Sequence, residues 1–185
     1  MERLIKTFLQ KRIMKRFKDH KQHRLPYFNY ASSALYFITI CTKDRIHYFG
    51  EISGGKMVLS NFGSIADEYW QMIPQKSPFA QLDVYVIMPD HVHGIIALNN
   101  PSEEPFLKQK EFKIRPHSIS TVIKGFKSAV TIKCRNIDPS IRIWQARFYD
   151  RIIRDEKELI AIRNYIINNP MQWEEDKNNP ENLMM

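Results

Sequence analysis

Sulfur ligands and long apolar runs are what this 185-residue chain has least of. Its two cysteines, Cys41 and Cys134, lie far apart, with no CxxC spacing and no secretory signal. That excludes a disulfide framework and a thiolate metal cage, and it fits reduced thiols in a cytosol. The longest apolar stretches, around Val84–Met88 and Gly94–Leu98, are strand-sized and far short of the roughly 18 residues that span a bilayer. The expectation is a soluble, cytoplasmic protein without membrane contact. Internal repeats and low-complexity tracts are also missing. Six glycines beside 43% hydrophobic and 12% aromatic residues describe a folded chain, not a disordered one.

Positive charge is in surplus, at a net +8. Residues 1–24 hold nine Lys/Arg against Glu2 and Asp19, and Lys108–Arg163 hold fourteen against six acids. The remainder is acidic. Two concentrated basic regions favour a polyanion, nucleic acid first, over a merely solubilising surface.

Residues 1–24 carry Leu4, Ile5, Phe8, Leu9, Ile13 and Phe17 at near-helical spacing, a basic amphipathic extension that resembles a transit peptide only weakly; Met14 is a candidate second start. The domain is expected over 25–180, with a tail at 181–185. Leu35–Thr42 reads as a central strand. Residues 51–60 read as a glycine-turn hairpin. Ser60 or Asn61 caps a helix presenting Ile65, Ala66, Tyr69, Trp70 and Ile73 and closed by Pro74. After a polar connection at 99–117, a helix from about Ser118 to Asn136 turns Ile119, Val122, Ile123, Phe126, Val130 and either Ile132 or Cys134 inward. Residues 141–149 form a short strand or extended segment. A last helix begins near Asp155, whose acids suit the N-terminal dipole, and stops at Asn169–Pro170. This order implies an α+β fold: an antiparallel sheet with helices on one face, ferredoxin-like or RRM-like, although no aromatic RNP1 pattern is present.

Val84–Leu98 is the most informative stretch: two apolar strands joined at Pro89–Asp90, the second opening with His91–Val92–His93. Alternation along a strand puts both imidazoles on one face, where they can converge on one ion or one phosphate. The bland alternative is a pair of half-buried, hydrogen-bonded histidines, because two ligands do not make a site. In the last helix, Tyr165 and Asn169 stand at i and i+4 beside the stripe Leu159, Ile162 and Ile166. Packed across the histidine face, they bring a phenol and an amide oxygen to the imidazoles. The alternative is an ordinary core tyrosine followed by an ordinary Asn-Pro helix stop.

Five segments carry a more specific signal in combination: Tyr36–Thr42, Met88–Gly94, Phe126–Val130, Trp144–Asp150 and Tyr165–Pro170. In this order and spacing the chain, from about Leu25 to Pro180, resembles the REP-associated tyrosine transposases, a branch of the HUH single-tyrosine superfamily related to IS200-like transposases. The resemblance implies an HUH endonuclease core in which His91, His93 and Asn169 bind Mg²⁺ or Mn²⁺ and Tyr165 is the nucleophile, with Tyr149 the competing tyrosine. It further implies cleavage and rejoining of single-stranded DNA through a 5′-phosphotyrosine, recognition of REP-like palindromic hairpins, a nucleoid-associated bacterial protein, and a monomer, with a homodimer as the alternative. Lys124, Lys127, Arg147, Arg151, Arg154 and Trp144 are the candidate DNA contacts, through phosphate pairing and base stacking. A non-catalytic nucleic-acid binding module on the same fold is the competing reading, and a hydrolytic metal nuclease without a covalent intermediate is a third.

Overall fold

The computed structural model describes residues 28–100 and 115–177; the basic extension at 1–24, most of the 99–117 connection and the 181–185 tail lie outside them. The β-branched and aromatic run near residue 35 forms β1, Ala34–Cys41. A hairpin follows, β2 (Gly50–Ser53) and β3 (Lys56–Leu59). Its turn residues Gly54 and Gly55 both have positive φ, which the tight hairpin turn requires and glycine permits without strain. Ser60 caps α1 (Asn61–Gln71) by accepting from the Gly63 N–H. Pro74 sits in the first turn of a short second helix, α2 (Ile73–Lys76), a position that needs no N–H. Then come β4 (Ala80–Met88), β5 (His91–Leu98), α3 (Ile119–Arg135, capped by Ser118), β6 (Tyr149–Ile153) and α4 (Glu156–Lys177).

Four strands make one antiparallel sheet in the order β4-β5-β1-β6. With α1 and α3 as the crossovers, this is the ferredoxin-like arrangement the element order implies. Strand parity divides the sheet into two chemistries. Tyr36, Ile38, Ile40, Val92 and Ile96 face α1 and α3, packing with Ile65, Ala66, Trp70, Ile123, Phe126 and Val130. Gly94 is there because Trp70 lies on it: a Cβ at this position would stand 2.4 Å from the indole. Phe37 and Ile95 face the other way and pack with Ile153, Ile162 and Ile166 under α4. No helix among the described residues is long and apolar enough to cross a membrane.

Two expectations change and two open alternatives are settled. Helices cover both faces of the sheet, because the last helix returns across the side that α1 and α3 leave open. Cys134, not Ile132, turns inward; Ile132 is 66% exposed. The sixth strand begins at Tyr149, where the chain reaches the free edge of β1; before it, the extended segment makes only a single bridge from Trp144 to Thr42. Finally, α4 does not stop at Asn169–Pro170 but continues to Lys177. An interior proline costs about 3 kcal/mol through its missing N–H and its ring clash. Beyond it the helix regains contact with the fold: Trp173 lies on His91 and His47, and the largely exposed Met171 passes over Gly55 of the hairpin. At its start α4 is capped reciprocally, Asp155 accepting from the Glu158 N–H while the Glu158 carboxylate reaches back to the Arg154 N–H.

Candidate active site

The face under α4 gathers the residues that the parity of β5 singles out. His91 and His93 are both buried, with ring centroids 4.3 Å apart. Each has its Nδ1 occupied by a different partner. His91 Nδ1 lies 2.6 Å from Asp90 Oδ1, and Arg45 Nε holds the other carboxylate oxygen at 2.8 Å. His93 Nδ1 lies 2.8 Å from the hydroxyl of Thr39, its register partner on β1. The Nε2 atoms are thus the nitrogens presented to a ligand.

From α4, Tyr165 brings its hydroxyl to 3.2 Å from His93 Nε2. Phe37 forms the floor, stacked on His93 at 5.4 Å and edge-on to Tyr165 at 6.2 Å. Asn169, one turn further along α4, is only 7% exposed, and its side chain makes no hydrogen bond among the described residues. One more turn along the same stripe comes Trp173, its ring 5.8 Å from that of His91. Asn169 therefore sits between two aromatic residues that touch the two histidines.

Burial dominates the electrostatics. It pushes His91 below the ordinary imidazole range even against the Asp90 carboxylate, which favours the charged ring. His93 is driven further down, by burial first and then by repulsion from His91. Both rings are neutral near pH 7, the form that ligates a cation. For Asp90 burial alone would raise the carboxyl, but the His91 hydrogen bond and nearby positive charge, Arg45 included, bring it below its usual value.

A divalent cation fits this donor set. Two neutral imidazoles have their Nδ1 atoms fixed by a carboxylate and a hydroxyl, the kind of second contact that holds metal-binding histidines, and the buried Asn169 amide stands on the adjoining turn of α4. Among the described residues no three His, Cys, Asp or Glu side chains converge, so the protein's share would be two nitrogens and one neutral oxygen, with positions left open for phosphate.

Tyr149, the competing tyrosine, stands on β6 opposite Thr39 and touches Phe37 edge-on at 6.5 Å. It is on the same face but separated from His93 by the width of β1. The candidate DNA contacts do not form one group. Lys124, Arg147 and Arg154 are exposed. Lys127 is half-buried and its ammonium donates to the carbonyls of Gln145, Ala146 and Arg147, so it fastens that segment. Trp144 donates its indole N–H to the Lys127 carbonyl and packs against Phe49 and Phe126 in the core. Arg151 pairs with Glu158. Lys127, Trp144 and Arg151 are thus engaged within the fold. Sequence reasoning missed Thr39, Arg45, His47 and Trp173. Thr39 could have been found from strand parity; the i+4 stripe reaches Trp173, but the Asn-Pro step argued against following it.

No family model matches the chain. A protein of Haemophilus influenzae Rd with no assigned function is 36% identical over 162 residues, covering 83% of this chain and 89% of its own. A second protein of that organism, provisionally named a REP-associated tyrosine transposase, is 25% identical over 150 residues, covering 78% of this chain and 74% of its own. The solved structure of a REP-associated tyrosine transposase bound to a REP hairpin shares the fold, with a TM-score of 0.56, 18% identity, and coverage of 82% of this chain and 73% of that one. The chain is thus similar in sequence to a protein provisionally named a REP-associated tyrosine transposase, and it shares the fold of a solved one.

Proposed function

We propose that the protein is a metal-dependent, single-strand DNA endonuclease and strand-transferase that acts on palindromic hairpin DNA through a phosphotyrosine formed on Tyr165. One observation carries the reading: the Tyr165 hydroxyl lies 3.2 Å from His93 Nε2, with His91 beside it, on the sheet face that α4 covers. A phenol with a pKa near 10 attacks phosphate poorly unless it is aligned and the phosphate is made electrophilic. His91, His93 and the Asn169 amide oxygen would hold Mg²⁺ or Mn²⁺. Such an ion, when bound, withdraws charge from phosphate oxygens and stabilises the departing oxygen.

The rest falls to the chain. Helix α4 carries the nucleophile and one ligand on a single stripe, so their separation is set by one helical turn. Phe37 and Trp173 limit where the phenol and the imidazoles can swing, and Tyr165, only partly buried, keeps its hydroxyl within reach of solvent and substrate. Tyr165 Oη forms a bond to phosphorus, losing its proton to solvent, and the P–O3′ bond breaks. The 3′-oxygen takes up a proton and leaves as a hydroxyl. Attack by a 3′-hydroxyl on the phosphotyrosine reverses the step and rejoins strands without ATP. The hairpin substrate is supported by the solved relative, whose structure holds a REP hairpin.

The test uses end-labelled hairpin oligonucleotides from the host's own repeats, with Mn²⁺ or with EDTA, resolved on a denaturing gel. A metal-dependent covalent protein–DNA band that survives Tyr149→Phe but not Tyr165→Phe is expected. Metal-dependent cutting without an adduct would move the reading to a hydrolytic nuclease, and tight binding without cutting to a binding module.

A further inference from the structure

The loop between β1 and β2 is not part of the proposed machinery, yet it is the most strained segment described. Asp44 and Arg45, neither of them glycine, lie consecutively in the left-handed region at φ 53° and 58°. Such backbone is uncommon in non-glycine residues and persists only where surrounding contacts impose it. Those contacts tie the loop to the turn that precedes His91. The Thr42 N–H donates to the Asp90 carbonyl at 2.9 Å, its hydroxyl lies between the Ile46 carbonyl at 2.7 Å and the Asp90 carbonyl at 3.0 Å, and the Phe49 N–H donates to the Pro89 carbonyl at 3.0 Å. Thr42 is fully buried.

This frame aims the Arg45 side chain at two neighbours of His91. Its Nε donates to Asp90 Oδ2 at 2.8 Å, and its Nη1 donates to Sγ of Cys41, the register partner of His91, at 2.9 Å. Asp90 is 5% exposed at its side chain, whereas Arg45 is 48% exposed. A cation serving only solubility needs no left-handed backbone to reach water. The ionised carboxylate is an acceptor only, so its contact with His91 Nδ1 puts the imidazole proton on that nitrogen and the lone pair on Nε2. We infer that Arg45 is a positioning residue: by holding the Asp90 carboxylate, it fixes the orientation and tautomer of His91 and so readies Nε2 for a cation. The effect on cation binding rests on the proposed function; the effect on the tautomer does not.

The experiment compares the wild-type chain with Arg45→Ala and Arg45→Lys, first without DNA and then in a separate hairpin-binding titration. Side-chain ¹⁵N spectra of the histidines, assigned with His91→Gln, report the tautomer. Calorimetric titration with Mn²⁺ reports affinity. Arg45→Ala is expected to turn the single Nδ1–H signature of His91 into a mixture and to weaken Mn²⁺ binding by about tenfold or more, the scale seen when a ligand's outer partner is removed. Arg45→Lys, which keeps a charged donor for Asp90, is expected to restore the signature and most of the affinity. Should Arg45→Ala fail to fold, Arg45→Gln supplies an uncharged donor for the same two readouts. Unchanged tautomer and unchanged Mn²⁺ affinity in Arg45→Ala overturn the inference, and a loss confined to hairpin affinity would make Arg45 a phosphate contact instead. If the wild-type chain binds no Mn²⁺, the metal reading of His91 fails while the ¹⁵N spectra still decide the role of Arg45.

Discussion

The two faces of one sheet are built from the same strands and do different work. On the α1/α3 face, β1 and β5 present Tyr36, Ile38, Ile40, Val92 and Ile96, and Trp70 and Phe126, their rings edge-on at 5.1 Å from each other, fill the space above them. On the α4 face the alternate residues are Phe37, Thr39, Cys41, His91, His93 and Ile95, and the apolar cluster is much smaller. Stability is concentrated on one side, so polar groups can be kept desolvated and closely spaced on the other. The price is borne by α4, which packs on fewer apolar residues and passes through Pro170.

Substitutions that separate the faces put this contrast at risk. The largest expected effect is on chemistry alone. Tyr165→Phe should cut adduct formation by about 10³-fold or more while hairpin affinity and melting temperature stay near wild type; a matching fall in melting temperature would mean that the phenol is structural and the faces are not functionally distinct. Next is Trp70→Ala on the opposite face, expected to cost about 3–5 kcal/mol in urea unfolding. Its remaining folded fraction should retain wild-type specific activity, because Trp70 touches none of the site residues. Gly94→Ala is expected to cost about 1–3 kcal/mol by the same assay, since the new methyl would overlap the Trp70 indole. A neutral result would show that α1 can lift from the sheet freely.

The smallest effect concerns how α4 is held. Asp83 on β4 receives a forked pair of hydrogen bonds from Arg163 of α4, and that bonding holds its carboxyl below the ordinary range. The folded-state pKa is therefore lower than the unfolded one. The pair's contribution is complete above the unfolded pKa of about 4 and is lost as pH falls through the folded value. Asp83→Asn should lower the melting temperature slightly at pH 7 and flatten its fall below about pH 4, and an unchanged acid profile would assign the anchoring of α4 to its apolar stripe alone. The pair is partly solvent-exposed, Arg163 more than Asp83, which keeps the effect modest.

Much of this was legible in advance. Period-two alternation in 84–98 located the histidine face, and helical spacing put Ile162, Tyr165, Ile166 and Asn169 along one side of the last helix. The Ser60 and Ser118 caps begin their helices where side-chain chemistry places them. Other features were not legible, because they depend on contacts between distant segments. The Asn169–Pro170 step has the local signature of a helix end, and only Trp173 meeting His91 and His47 carries the helix past it. The partners of Lys127, Trp144 and Arg151 within the fold, the 145–147 carbonyls, the Lys127 carbonyl and Glu158, were likewise not legible.

The amino-acid sequence by itself determined what is periodic or local: the strand faces, the helix caps, the glycine turn and the spacing of Tyr165 from Asn169. Each depends on backbone geometry within a few residues, where side-chain direction follows from the repeat of the element. Tertiary structure alone decided that α4 covers the face left open by α1 and α3, that Thr39 and Asp90 take the Nδ1 atoms of His93 and His91, and that a strained loop turns Arg45 onto Asp90. Those outcomes depend on registry between strands and on the desolvation of polar groups packed together, quantities that no single segment carries.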